Sequence, residues 1–109
     1  MIEFTAPGTP HALARAIEQY AQGQGSVSAI VVPWESDERT LSMAVTSVRS
    51  DGWAIEHTNL GTITLTASAG DRTTVAISGS EPDHPEPQKL NAFFDRFARQ
   101  LQDHFTAAR

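Results

Sequence analysis

Leu90, Phe93, Phe94, Phe97, Leu101 and Phe105 recur at helical spacing in the last quarter of the chain, directly after a run of alternating, Thr-rich segments. Four of the five Phe residues sit on this one stripe. A helix with so wide an apolar face is stable only against a second layer of matching size, and the alternating segments before it supply a sheet with one apolar face. The expected class is therefore α+β: a curved antiparallel meander packed on a long C-terminal helix. The Phe stripe needs no ligand to account for it, since burying each ring contributes roughly 1.5 to 3 kcal/mol to folding.

The segments upstream fill in that plan. Residues 2–5 alternate apolar and polar as a first strand. Thr9 stands at an N-cap position with Pro10 at the first helical position, and Leu13, Ala16, Ile17 and Tyr20 make one apolar face of a short helix that Gly23 is expected to stop. Residues 26–32, rich in β-branched side chains and closed by Pro33, predict a strand, with residues 34–38 as its exit loop. Leu41, Met43 and Val45 alternate with Ser42, Ala44 and Thr46, and residues 50–52 (SDG) predict a turn. Trp53, Ile55 and His57 share a face by alternation, residues 59–61 are expected to bend the chain, and Ile63, Leu65, Val75 and Ile77 continue the meander opposite Thr and Ser. Residues 80–87 (SEPDHPEP) carry three prolines and three acids and predict a connecting loop.

At 109 residues the chain fits one domain, spanning residues 1–109 with one core. The formal charge of −5 and the scattering of the seven Arg residues and one Lys argue against a nucleic-acid backbone or a membrane surface as partner. The absence of Cys excludes disulfides and thiolate chemistry, and with no signal-like N-terminus or long apolar window it fits a cytoplasmic protein.

Residues 61–78 (GTITLTASAGDRTTVAIS) followed by a linker and residues 93–101 (FFDRFARQL) resemble the closing hairpin and gripping helix of the helix-grip superfamily, which includes START-like, Bet v 1-like and polyketide-cyclase-like proteins. The resemblance covers mainly residues 53–105. It implies a sheet wrapped around the last helix with an apolar ligand cavity between them. Members run longer and carry more helix between the first two strands than residues 9–22 provide, and a shortened version can fill its core and leave no cavity.

No motif specifies a reaction, a metal or a cofactor, and the expectation is a non-catalytic protein. His57 is the sharpest single candidate, as a titratable group expected to look toward the helix from an apolar face; the plainer alternative is a core-edge histidine with a hydrogen-bonded partner. With Trp53, Met43, Phe97 and Leu101 it makes up the candidate site for an apolar or amphipathic small molecule. Trp34, after Pro33 in an acidic loop, and Phe94, at the expected edge of the helical stripe, are candidates for a protein contact, homodimerisation included. Glu81, Asp83, His84 and Glu86 match no metal-ligand spacing, and residues 23–25 (GQG) lie between helix and strand, the reverse of a phosphate-cradling loop. Beside an enzymatic reading with His57 as acid or base in a cyclase-like or hydrolase-like pocket, two readings lead: a helix-grip-like binder of an apolar small molecule, or a filled-core interaction module. Open volume against the inner face separates them.

Overall fold

The computed structural model describes residues 2–25, 27–50, 55–79 and 87–107, with the backbone alone for 49, 50, 55–57, 87 and 107. Among the described residues, five strands and two helices follow in the order β1 (Ile2–Pro7), α1 (Pro10–Gln24), β2 (Val27–Val31), β3 (Thr40–Ser50), β4 (Ile55–Ser68), β5 (Arg72–Gly79) and α2 (Pro87–Ala107), with a 3-10 turn, Pro33–Glu35, after β2. The strands form one antiparallel sheet in the order β1-β5-β4-β3-β2. The α+β class, the meander and the packed C-terminal helix are as the hydrophobic pattern predicts.

Both helices cover the same face. α1 lies over β2, β3 and β4, α2 over β1, β5 and β4, so the long central strand β4 supports both. The helices meet through Tyr20 and Phe97, whose ring centroids are 6.1 Å apart. One core cluster draws on every strand and both helices: Phe4 and Ala6, Leu13, Ala14, Ile17 and Ala21, Val27 and Ala29, Leu41, Met43 and Val45, Leu60, Ile63 and Leu65, Val75 and Ile77, then Phe94, Phe97, Ala98 and Leu101. The opposite face carries Thr and Ser side chains that water can satisfy, as a half-covered antiparallel sheet requires.

Three local expectations change. α1 does not stop at Gly23; it runs to Gln24 and ends at Gly25, whose left-handed φ of 82° turns its N–H back to the Gln22 carbonyl. Its start is as expected, with the Thr9 hydroxyl accepting the Ala12 N–H at 3.2 Å. Residues 59–61 do not divide two strands. They lie inside one 14-residue strand, β4, where the pairing steps from Val45↔Gly61 to Thr46↔Asn59 and leaves Leu60 as the extra residue of a β-bulge. Leu60 and Gly61 are consequently both buried although adjacent.

Phe94 is the third. It was expected at the edge of the helical stripe, but it is 4% exposed and lies at the centre with Phe97, Ala98 and Leu101, while Leu90, Phe93 and Phe105 pack partly buried around them. The cause is a pair of glycines. Gly61 and Gly79 face each other across β4 and β5, and the Phe94 ring occupies the space their missing side chains leave. A Cβ built on Gly61 would lie 2.5 Å from Phe94 Cζ and would also collide with the Ser78 carbonyl, whereas one on Gly79 would stand 3.6 Å from the ring, an ordinary contact.

The two glycines are thus predicted to differ. Gly61→Ala should cost about 3 kcal/mol, because the ring or the β4–β5 pairing must move. Gly79→Ala should cost well under 1 kcal/mol. Denaturant unfolding of both variants checks this, and equal losses would mean that the Phe94 seat is not the constraint.

Candidate functional site

The structure describes the sequence-derived site only in part. Met43 on β3 and Leu101 on α2 are completely buried, and Phe97 is 2% exposed. Val45, Ile63 and Leu65 beside them are also at zero, with Val75 at 1% and Ile77 at 2%. A side chain with no surface open to a water-sized sphere lines no void that holds a molecule, so Met43 and Leu101 border no open space among the described residues. Trp53 lies outside the described residues. The His57 backbone belongs to β4 and pairs with Val48, but its side chain too lies outside them. The acidic residues 81, 83 and 86 and His84 also lie outside the described residues. Among the described residues, no three His, Asp or Glu side chains are grouped to hold a metal ion, and no helix is long and apolar enough to cross a membrane.

A different location collects the unexplained apolar surface. Among the described residues, the exposed large hydrophobic side chains are Ile30, 57% exposed, and Trp34, 84% exposed. Both belong to one stretch at the edge of the sheet. Alternation in β2 turns Val27 and Ala29 into the core and Ile30 to the uncovered face. The strand ends where Pro33 cannot extend the ladder, and the 3-10 turn is held by Glu35 N–H to the Val32 carbonyl at 3.1 Å and Ser36 N–H to the Pro33 carbonyl at 3.2 Å. The Ser36 hydroxyl then closes the ladder: it donates to the Val32 carbonyl at 2.8 Å and accepts the Ser42 N–H at 3.1 Å. Ser42 Oγ donates to the Glu35 carbonyl at 3.3 Å. Trp34 is therefore an indole held out in water by a tied backbone, not a residue of a loose tip.

The segment leading into β3 is fixed by Asp37. One carboxylate oxygen, Oδ1, accepts the Arg39 and Thr40 N–H groups, both at 2.8 Å. Those two bonds, Arg39 first, and the Arg39 charge hold the Asp37 carboxyl below the usual aspartate range. Asp37, Glu38, Arg39, Thr40, Thr66 and Ala67 line a shallow groove of about 590 Å³ beside this corner. Two of these six are acids, Arg39 is the one base, and Glu35 precedes them in the chain.

Ile30 was not singled out by sequence reasoning, since a β-branched run of 26–32 does not say which strand is an edge. A signal was present in comparison. Edge strand β1 carries Glu3 and Pro7, which discourage further pairing, whereas β2 (VSAIV) has no charge and no proline.

Compared with protein-family models, with curated proteins and with solved structures, the chain matches none.

The Asp37 geometry sets a pH dependence. Because its carboxyl is held low in the folded chain, its contribution is fully present above the ordinary aspartate range and is lost as pH falls through the depressed value. Amide exchange at Arg39 and Thr40 should therefore be slow relative to Asp37→Ala at pH 6, and the difference should vanish at strongly acidic pH. A difference that persisted after protonation would mean that the backbone alone holds the turn.

Proposed function

We propose that this chain is a filled-core protein-interaction module that meets its partner with the edge strand β2 and the Trp34 corner. The carrying observation is the pairing of Ile30 and Trp34 on one uncharged sheet-edge segment, while the remaining large apolar side chains among the described residues are buried or partly buried. An exposed Trp on a rigid turn is poorly accounted for by folding, and it is the side chain most enriched among residues that dominate interface energies. An edge strand without charge or proline accepts another strand through its main chain.

The strand order, the single helix between β1 and β2 and the C-terminal helix are compatible with a shortened helix-grip arrangement. A ligand held as in that superfamily needs space beside Met43, Phe97 and Leu101, and the packing there favours the interaction module over a small-molecule binder.

Two measurements test the reading. Native mass spectrometry of freshly purified protein should show no small-molecule mass that disappears on denaturation; a retained apolar ligand would overturn the filled core. Trp34→Ala should leave the unfolding free energy within about 0.5 kcal/mol of the parent, as for a surface residue without structural contacts. A loss of 2 kcal/mol or more would make Trp34 part of the fold and remove it as a docking residue.

A further inference from the structure

Resting on the interaction-module reading, we infer that the partner at this edge is a second copy of the chain, joined β2 to β2 in antiparallel fashion about a two-fold axis at Ala29. The backbone directions come from the ladder. Val32 N–H donates to the Ser42 carbonyl at 2.8 Å, so Val32 points toward β3. In an antiparallel pair, alternate residues turn both backbone groups to the same neighbour, which places Ser28 and Ile30 toward β3 and Val27, Ala29 and Val31 toward the open edge. Among the described residues, no strand pairs with that edge.

A two-fold axis at Ala29 uses all three outward residues at once. Val27 meets the partner's Val31, Ala29 meets the partner's Ala29, and Val31 meets the partner's Val27, each pair exchanging both of its bonds. The sequence VSAIV is close to symmetric about its centre, with Val at both ends. The apolar face of one copy therefore continues into that of the other, and the helices stay on one side of a ten-stranded sheet. An axis at Ile30 is poorer, because Val27 would then face Pro33, which has no N–H.

Charge favours the same arrangement. Each copy is net acidic, at −5, and a rim of Glu35, Asp37, Glu38 and Arg39, net acidic, follows the C-terminal end of β2. Antiparallel pairing sends the two rims to opposite ends, roughly 20 Å apart, beyond the screening length of about 8 Å at physiological salt. Parallel pairing would bring them together. A foreign strand would have to supply a comparably uncharged match, whereas a second copy carries it by construction.

The size of the contact sets the expected strength. A five-residue strand pair is about 17 Å long, and across two layers it covers roughly 300 Å² per copy. Covering the Trp34 indole and the Ile30 side chain raises this toward about 500 Å². The total of about 1,000 Å² is at the lower limit for a specific interface, which predicts a dimer that dissociates on dilution.

The experiment is sedimentation velocity over a dilution series. Opposite each other in the inferred register stand Ser28 and the partner's Ile30, both pointing to the uncovered face. In the double variant Ser28→Lys/Ile30→Lys like charges oppose each other twice, and the dimer dissociation constant should rise at least tenfold. In Ser28→Lys/Ile30→Glu opposite charges meet, and it should rise at least threefold less than in the double-lysine variant. Circular dichroism of both variants establishes that they fold. As a measurement free of mutation, amide exchange at Val27, Ala29 and Val31 in the parent should slow as concentration rises. A parent that is monomeric at every concentration, a dimer indifferent to both variants, or edge amides indifferent to concentration would overturn the inference. A monomer without retained ligand leaves the filled-core module standing, whereas a retained ligand removes that reading itself.

Discussion

The Phe94 ring lies where two side chains are missing, and most of the architecture depends on that seat. Gly61 and Gly79 face one another on the central pair of strands, so the ring descends closer to the sheet than any facing side chains would allow. This fixes the rotation of α2 and brings Phe97, Ala98 and Leu101 onto the same face. It also explains why β4 bulges where it does. The extra residue at Leu60 places two consecutive buried residues, Leu60 and Gly61, where a regular strand offers one. Leu60 contributes its apolar side chain to the core, and Gly61 yields its space to Phe94.

With α2 so placed, the remaining part of the sheet face falls to α1. Fifteen residues of helix extend about 22 Å, and the four strand spacings between β1 and β2 come to about 19 Å. The short helix is therefore long enough to carry the chain from one edge of the sheet to the other without further helical turns. Tyr20 closes the seam with Phe97 on one side and, at 5.0 Å between centroids, His104 on the other. Between them the two helices bury Ile17, Ala21, Phe97 and Leu101 against the inner face of the sheet.

How much of this was legible follows from the range over which each signal acts. The α2 stripe, the Thr9 cap and the β3–β5 alternation are local patterns with a fixed period, and each forms where the pattern places it. The end of α1 was missed by two residues, because Gly23 and Gly25 are equivalent in sequence and only the left-handed cap at Gly25 decides between them. An Asn-Leu-Gly run signals a break whether or not pairing continues through it, so the sequence predicts a bend where β4 carries a bulge at Leu60. Phe94 was placed at an edge because the glycines that receive it lie 33 and 15 residues away and reveal themselves only once β4 and β5 pair. The candidate site was the least legible part: whether Met43, Phe97 and Leu101 line a pocket is a question of volume, and volume belongs to the packed assembly.

The topology also explains why the two edges of the sheet differ. β1 and β2 run parallel to one another at opposite ends of the order β1-β5-β4-β3-β2, because α1 crosses between them and the later strands fill the middle. Each is thus an edge by construction. At β1 the far end is secured: Gly8 N–H donates to the Asp71 carbonyl at 2.7 Å, and the fully buried Thr73 hydroxyl donates to the Gly8 carbonyl at 2.8 Å. Glu3 and Pro7 then make the strand a poor template for further pairing. At β2 the chain spends its polar side chains on ending the ladder, through Ser36 and Asp37, and leaves the strand itself uncharged. A domain under pressure only to stay monomeric would place a lysine where Ile30 stands, at no cost to the core, since that side chain points away from it. Ile30 instead leaves an apolar side chain exposed on the open edge, with exposed Trp34 just beyond the end of the strand, and it is this surface, not the core, on which the proposed contact rests.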